Sequence, residues 1–474
     1  MPTHLSYGNL MMYIYIRCLF AAILVAGVGV AQASTVTETN IVQDDPEFGD
    51  SFGGSVAIYG TTVIVGSASD DDGGLRSGSV YLFDAATGAQ INKLTASDAS
   101  ASARFGSSVA IDGTIAVVGA RDDDGLGNQA GAVYVFDTET GAELSRLTAD
   151  DASDFDLLGA SVDISGSTII ATAPGDDDLG ESSGFFGSDS GAAYLFDAAT
   201  GTQIAKLTAS DGTTGDAFGG GPRDGNAVAI DGNLAIVGAL YHDGAGEDSG
   251  AAYVFDATTG SQVAKLTPSD AAAGDFFGSS VDIQGNIAIV GAPSDDDGGS
   301  RSGSVYLFDA ATGAQLAKLT ATDARTGANF GWSVALSGDI AIIGAITDRG
   351  TLGSAYIFDI TDGTQLRKLF PSDSLTQDRF GGAVDIFGDI AVVGTQQGDA
   401  TSFRRDDGTF AGAFIFNAID GSWELPQPPP GCIPSNFTPP KCEPFRPAVV
   451  PLPAGLPLLL AGLGGLAFLR KRHH

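Results

Sequence analysis

Short apolar runs separated by turn-forming residues repeat along most of the chain. In SVAIDGTIAVVGA (residues 108–120), two β-branched runs flank Asp112–Gly113, a pair that tolerates the positive φ of a hairpin turn. AVYVFD (132–137) follows as a third run, and AELSRLT (142–148) comes as a fourth after Thr140–Gly141. This alternation of runs and turns predicts a unit of four antiparallel β-strands.

The unit recurs seven times. Its most regular mark is a large apolar residue followed by glycine, found at Phe52, Phe105, Leu158, Phe218, Phe277, Phe330 and Phe380. The spacings between these marks are 53, 53, 60, 59, 53 and 50 residues. Seven units of about 50 residues with four strands each predict an all-β fold, a seven-bladed β-propeller of four-stranded antiparallel blades over residues 34–425.

A propeller has to close into a ring. Before the first unit, Ile41–Val42 aligns with Leu94–Thr95, the end of a fourth strand. In the seventh unit the fourth run, GSWEL, is short and is cut off by Pro426. We therefore predict that an N-terminal strand completes or pairs with the seventh blade, which would join the two ends of the repeat array.

The fourth run of most units ends in a cation followed by leucine. These cations are Lys93, Arg146, Lys206, Lys265, Lys318 and Lys368. An outermost strand has an unpaired edge, and a cation there discourages pairing with another chain. A binding patch is the alternative, but six cations spread around a ring favour edge protection.

Three motifs recur in register over residues 46–425: Phe-Gly, Gly-Ala with Pro in some units, and Tyr-hydrophobic-Phe. In these motifs the chain resembles FG-GAP repeats, the units of integrin-α-type propellers, although Thr172 replaces the glycine of Gly-Ala in the third unit. The resemblance implies a binding or adhesion module with calcium loops between the first two strands. Here that position is a bare two-residue turn, Asp112–Gly113, so the calcium site of the family does not carry over.

Acidic residues lie instead between the second and third strands. Four units have a triplet there: Asp70, Asp71 and Asp72; Asp122, Asp123 and Asp124; Asp176, Asp177 and Asp178; and Asp295, Asp296 and Asp297. Glycines beside the triplets would allow a tight loop around Ca²⁺, with carbonyls or waters completing the six to eight oxygens that the ion takes. Exposed acidic loops that maintain solubility are the alternative, and Ca²⁺ is the one cofactor that the sequence indicates.

Composition narrows the range of partners. The chain has 474 residues and a formal net charge of −35, and both of its ends carry basic rather than acidic residues. The repeats are therefore strongly acidic, and such a surface repels nucleic acid and anionic membranes. We expect no nucleic-acid partner.

The N-terminus is typical of a secretory signal peptide, which is predicted as a helix over residues 1–33. Arg17 precedes an apolar run from Cys18 to Val30, and small residues follow, which places cleavage between Ala33 and Ser34. Translation from Met11 or Met12 is an alternative start.

The C-terminus begins with a Pro-rich linker over residues 426–449. Residues 450–474 then show three parts in order: Val450, Pro451, Leu452, Pro453 and Ala454; an apolar run of 16 residues to Leu469; and Arg470, Lys471 and Arg472. The run predicts a short hydrophobic helix, marginal against the roughly 20 residues of a stable span, with the basic tail on the cytoplasmic side.

Together these parts resemble a VPLPA-CTERM sorting signal, a variant of the PEP-CTERM signals of Gram-negative bacteria. The resemblance implies export machinery and an exosortase-like processing enzyme as partners, and a membrane-held intermediate before release to the cell surface or matrix. A plain membrane anchor is the alternative.

Cysteine usage agrees with export. Cys18 leaves with the signal peptide, and Cys432 and Cys442 remain as a pair in the linker. In an oxidising compartment these two would form a disulfide, and two free thiols are the alternative.

Few enzyme classes fit this sequence. After processing at both ends His242 is the last histidine, so histidine-based triads and histidine-rich metal sites are excluded. Carboxylate chemistry needs no signature, and a glycosidase-like hydrolase with two acids in a deep axial pocket stays open. We predict a non-enzymatic, exported, surface- or matrix-associated binding, adhesion or structural module, with a polysaccharide or protein of the surface or matrix as its ligand.

Overall fold

The computed structural model describes residues 36–47, 49–177, 190–220, 226–372, 379–395 and 412–417. These residues form 28 β-strands and no helix. The strands are arranged in seven four-stranded antiparallel sheets, so the predicted seven-bladed β-propeller is confirmed.

The strands follow one another around the ring in chain order. The N-terminal strand is β1 (Thr37–Ile41). Blade one contains β2 (Phe52–Tyr59), β3 (Thr62–Ser67), β4 (Ser79–Asp84) and β5 (Gln90–Leu94). Blade two contains β6 (Phe105–Asp112), β7 (Ile115–Ala120), β8 (Ala132–Asp137) and β9 (Glu143–Leu147). Blade three contains β10 (Val162–Ser165), β11 (Thr168–Ala173), β12 (Ala192–Asp197) and β13 (Gln203–Leu207).

The second half of the ring repeats this arrangement. Blade four contains β14 (Val228–Asp231), β15 (Leu234–Ala239), β16 (Ala251–Asp256) and β17 (Ser261–Leu266). Blade five contains β18 (Ser280–Gln284), β19 (Ile287–Ala292), β20 (Ser304–Asp309) and β21 (Ala314–Leu319). Blade six contains β22 (Phe330–Ser337), β23 (Ile340–Ala345), β24 (Ser354–Asp359) and β25 (Thr364–Leu369). Blade seven contains β26 (Phe380–Phe387), β27 (Ile390–Thr395) and β28 (Ala413–Asn417).

The N-terminal strand closes the ring, as the sequence predicts. β1 pairs antiparallel with β28, from Thr37 opposite Asn417 to Ile41 opposite Ala413, and so becomes the outermost strand of blade seven. Blade seven is thereby built from both ends of the repeat array, which leaves no terminal blade free to fray.

The inner hairpin turns differ from the sequence prediction by one residue. Asp112 still pairs with Ile115, so the two turn residues are Gly113 and Thr114 rather than Asp112 and Gly113. In all seven blades the glycine of this turn has a φ of 55–61°, a left-handed conformation that suits the first central position of a tight hairpin turn.

Contacts between blades explain why Phe-Gly and Gly-Ala recur together. A Cβ on Gly66 in β3 would lie 2.1 Å from the carbonyl oxygen of Gly106, the Phe-Gly glycine of the next blade. Only glycine allows this approach of two backbones. The neighbouring Phe105 packs edge-on against Tyr134 and Phe136 of its own blade. The two dipeptides are thus the two sides of one interface.

The strands give the ring two faces. In blades one to six, the turns between the first and second strands and between the third and fourth strands lie at one end, which we call the turn face; the turn between β26 and β27 of blade seven lies there too. The opposite strand ends, from which the loops between the second and third strands and the links to the next blade leave, lie at the other end, which we call the loop face.

Several sequence predictions lie outside the described residues. These are the signal peptide with Ala33 and Ser34, the Cys432–Cys442 disulfide, the linker, and the sorting segment with residues 450–454 and 470–472. Within the part of the chain that the structure describes, no helix is long and apolar enough to cross a membrane.

Candidate functional site

The aspartate loops of the loop face are built around an internal cation. In blade one the Tyr81 hydroxyl oxygen lies 2.7 Å from a carboxylate oxygen of Asp70 and 2.8 Å from one of Asp45, which belongs to the link entering the blade. The Lys93 ammonium group lies 2.8 Å from Asp45, 3.2 Å from Asp70 and 2.5 Å from Asp72. It also lies over the Tyr81 ring, 4.9 Å from its centroid.

The same arrangement, which we call the loop-face cluster, is present in blades one to six. Each cluster has a link aspartate, a residue of the second-to-third loop, a third-strand tyrosine and a fourth-strand cation. The members in order are Asp45, Asp70, Tyr81 and Lys93; Asp98, Asp123, Tyr134 and Arg146; Asp151, Asp176, Tyr194 and Lys206; Asp211, His242, Tyr253 and Lys265; Asp270, Asp295, Tyr306 and Lys318; and Asp323, Asp348, Tyr356 and Lys368.

Blade seven lacks three of the four cluster members. Phe414 stands where the other blades have tyrosine, and Asn40 of β1 is paired opposite it where they have the cation. Gly398 takes the place of the loop aspartate in the sequence. The loop residue, the tyrosine and the cation thus change together, and only the link aspartate, Asp373, is kept in the sequence.

The triplet aspartates therefore have different roles. One member of each triplet is buried, and these four are Asp70, Asp123, Asp176 and Asp295. The remaining described members are exposed or partly exposed, and they are Asp71, Asp72, Asp122, Asp124, Asp177, Asp296 and Asp297. Asp178 lies outside the described residues. Blade two uses the middle aspartate because its triplet begins one residue earlier relative to the preceding strand.

The electrostatics of the cluster follow from burial and pairing. Burial alone would raise the pKa of Asp295, but hydrogen bonds from Tyr306, the Asp297 amide and Lys318 outweigh it and lower that pKa. Burial would likewise lower the pKa of the Lys318 ammonium group, yet the surrounding carboxylates raise it well above its usual range. Both groups are thus held in their charged forms at neutral pH.

A calcium ion does not fit these clusters as they stand. The Lys93 ammonium group lies among the carboxylates of Asp45, Asp70 and Asp72, where a dication would have to sit. Among the described residues, no group of three or more His, Cys, Asp or Glu side chains is arranged to hold a metal ion. The fourth-strand cations lie on edge strands, as predicted, but their side chains bind carboxylates of the blade and its link.

Blade four replaces the loop aspartate with His242. Its Nδ1 lies 3.0 Å from a carboxylate oxygen of Asp216, and its Nε2 lies 2.7 Å from the Lys265 ammonium nitrogen. Because the ammonium can only donate, Nε2 accepts and Nδ1 carries the proton that is donated to Asp216. His242 is buried and fills the position of Asp70 in blade one.

A second group of carboxylates lies in the axial channel. The innermost strands of blades three, five and seven carry Asp163, Asp282 and Asp385, at a position where the other four blades have alanine. Each aspartate accepts the N–H of the residue after it and an N–H of the next blade, from Ile230, Leu336 and Ile58 respectively. These carboxylates therefore cap backbone donors at the inner edge of the ring.

The channel environment disfavours their charge. Burial raises the pKa of Asp163 and of Asp385 to about 7, although both accept hydrogen bonds that favour the ionised form. The pKa of Asp282 is also raised well above its usual value, by burial and by repulsion from the other two aspartates. The cavity between them has a volume of about 110 Å³ and is otherwise lined mainly by valine and alanine.

Our sequence reasoning missed both groups, although signals for them are present. An aspartate stands seven residues before every aromatic-Gly or Leu-Gly step, as Asp45 precedes Phe52, and six of these seven aspartates are the link members of the clusters. The channel aspartates appear as SVDI or AVDI where other units read SVAI, AVAI or SVAL.

The fold and these two groups define a closed seven-bladed propeller whose links are tied to its blades by internal ion clusters. A family model described as FG-GAP repeat matches seven stretches, residues 35–83, 89–136, 142–196, 202–255, 261–308, 314–358 and 364–414. The chain therefore belongs to the FG-GAP repeat family. Each match begins near the outer strand of one blade and ends in the third strand of the next. Comparison with curated proteins found no match.

Proposed function

We propose that this propeller is an exported, surface- or matrix-associated module with a binding, adhesion or structural role. Its ligand would be a polysaccharide or protein met by a surface of the ring. The observation that carries the proposal is that the buried loop acids are paired with cations inside the blades. These ion clusters stiffen the ring, and the surfaces of its two faces are available for contact with a partner. The axial cavity, at about 110 Å³, is smaller than the roughly 300–1,000 Å³ of small-molecule pockets, which also favours surface binding.

Calcium dependence remains a separate prediction. The internal cations favour a calcium-independent fold, so we expect equal thermal melts of the full chain in excess EDTA, in millimolar Ca²⁺ and in millimolar Mg²⁺. A calcium-specific rise of several degrees would show native-state sites, because a ligand stabilises by RT ln(1 + [L]/Kd). Exposed triplet members such as Asp71, Asp124 and Asp296 would then be the first to replace.

Export and binding are tested together in a Gram-negative host. We expect the full chain to leave the cytoplasm and to begin at Ser34 after processing, which N-terminal sequencing would show. The recovered protein is then run through gels that contain neutral, anionic or amino polysaccharides, and retardation in one of them supports a binding role. A chain that stays in the cytoplasm would contradict the export proposal.

The three channel aspartates favour one alternative, an extracellular carboxylate hydrolase. A general acid needs a pKa raised toward neutrality, which Asp163 and Asp385 have. This alternative predicts that the full chain releases reducing ends from a polysaccharide and that Asp163→Asn or Asp385→Asn abolishes the release. Unchanged release in both variants would exclude these residues.

A further inference from the structure

The two faces of the ring differ in whether their acids are paired with cations. The loop face has the six cluster cations, whereas the turns of the turn face that the structure describes contain acids and neither lysine nor arginine. The acids of these turns are Asp84, Asp112, Asp137, Glu139, Asp197, Asp231, Asp256, Asp309, Asp339, Asp359, Asp362 and Asp389. The carboxylates of this face are therefore not neutralised by cations of the same turns.

Local hydrogen bonds keep many of these acids ionised. In blade one the Thr87 hydroxyl and amide both donate to Asp84 and lower the pKa of its carboxyl group. The pKa is lowered for the same reason at Asp137, Asp197, Asp256, Asp309 and Asp359. The turn face thus presents a ring of fixed negative charge at neutral pH.

An aromatic pair interrupts the polar pattern around the channel mouth on this face. In five blades the last residue of the innermost strand accepts the turn N–H of the next blade, as Asp112 does from Gly166 at 2.6 Å. The other four acceptors are Ser165, Asp231, Gln284 and Ser337. The two remaining positions, in blades one and seven, are Tyr59 and Phe387.

These two rings form an exposed apolar surface. Tyr59 is 39% exposed and Phe387 is 40% exposed, and their centroids are 4.9 Å apart with the planes inclined at 51°. The inclination means that the rings do not form one flat platform of the kind on which a sugar ring stacks. The two rings therefore meet at an angle, and Asp389, two residues after Phe387, is exposed in the same turn.

We propose that the Tyr59–Phe387 pair is the contact point for a basic segment of a protein partner, with an arginine or lysine side chain against the rings. Charge complementarity identifies the occupant, because cations attract the face of an aromatic ring and the surrounding turns supply only negative charge. Arginine suits the position best, since its planar guanidinium group stacks on rings and pairs with carboxylates. This inference rests on the proposed binding function and specifies its partner.

The test measures binding of a labelled synthetic peptide of alternating Arg and Ser to the full chain by fluorescence anisotropy. For Tyr59→Ser/Phe387→Ser we expect binding to weaken about tenfold, because an exposed cation–π contact contributes roughly 0.5–1 kcal/mol for each ring. The matched control is Leu144→Ser/Leu316→Ser, which removes two side chains of similar exposure from outer strands. The control should bind like the unaltered chain, and all binding should weaken with salt.

Equal affinity in the aromatic and control variants would overturn the proposal, because charge alone would then explain binding. It would also be overturned if a chitosan oligomer depended on the rings while the peptide did not. Urea unfolding midpoints of both variants establish that they are folded. If the peptide result is negative while the polysaccharide gels still retard the protein, this inference fails and the proposed function stands.

Discussion

Replacing Lys318 with methionine removes the cation at the centre of the blade-five cluster while keeping a side chain of similar length. In the native chain the ammonium group lies 2.8 Å from Asp270, 3.0 Å from Asp295 and 2.5 Å from Asp297. Asp295 is buried, and the other two aspartates are exposed. The variant therefore leaves one buried carboxylate without its cation.

The loss of stability in this variant depends mainly on the buried carboxylate of Asp295. Removing one partner of a buried ion pair costs about 3–5 kcal/mol, whereas an exposed pair contributes about 0–1 kcal/mol. Protonation of Asp295 limits the loss, so we expect the free energy of unfolding to fall by about 3 kcal/mol. For a ring of this size, at about 2 cal/mol/K of unfolding entropy per residue, that corresponds to a fall in Tm of about 4 °C.

The assay is thermal and urea unfolding of the full chain at neutral pH, followed by circular dichroism. Lys318→Arg should retain most of the stability, because Arg146 holds the same position in blade two. Arg325→Met, which removes an exposed cation from the next link, is the matched control and should change stability by less than about 0.5 kcal/mol. If Lys318→Met and Arg325→Met lower Tm equally, the cluster does not hold the blade and the reasoning is refuted.

Three further predictions follow from the ring itself. Asp163 and Asp385 have a pKa of about 7 in the folded chain, against an ordinary value of 3.8. Between pH 3.8 and pH 7 the folded chain therefore keeps these two protons, whereas the unfolded chain has lost them. As the pH rises from about 4 to about 7, stability should therefore fall, by up to roughly 1.4 kcal/mol per pH unit for each group. Asp163→Asn/Asp385→Asn should flatten most of this slope, and an equal slope in the variant would contradict the assignment. In the second blade a Cβ on Gly119 would lie 2.0 Å from the Gly159 carbonyl oxygen, whereas a Cβ on Gly113 would meet open space. Gly119→Ala should therefore lower Tm by far more than Gly113→Ala. Similar losses in the two variants would mean that the blade interface is not close-packed at Gly119. Deleting residues 37–41 removes β1 and exposes the edge of β28, which should bring proteolysis of blade seven at temperatures where the intact chain resists; an unchanged digestion pattern would show that closure is not needed for stability.

The repeat architecture could be predicted because its signals are local. The alternation of apolar and polar residues marks each strand, and a glycine in the inner turn marks each hairpin, so blade number and ring closure are readable without any knowledge of contacts. The one-residue error at Asp112–Gly113 has a simple cause, since both Asp-Gly and Gly-Thr fit a two-residue turn until the pairing of Asp112 with Ile115 is known.

The roles of the charged side chains could not be predicted in the same way. Lys93, Asp70 and Asp45 lie in three different segments of the chain, and only the packing of the link against the outer strand brings them within 3.2 Å. The sequence alone therefore allowed edge protection for the lysine and either calcium binding or solvent exposure for the aspartate. It did not indicate that the two charges neutralise each other.

The sequence by itself determined the strands, the seven units and their closure, because these depend on the side-chain periodicity and turn chemistry of each segment. Only the tertiary structure decided which aspartates lie in the loop-face clusters, which lie in the channel, and which remain exposed on the turn face. The alternation of residues along a strand separates its two sides, but it does not say which side faces the channel and which faces a neighbouring blade. Asp163 faces the channel, rather than solvent outside the ring, because blade three lies between two other blades around a common axis.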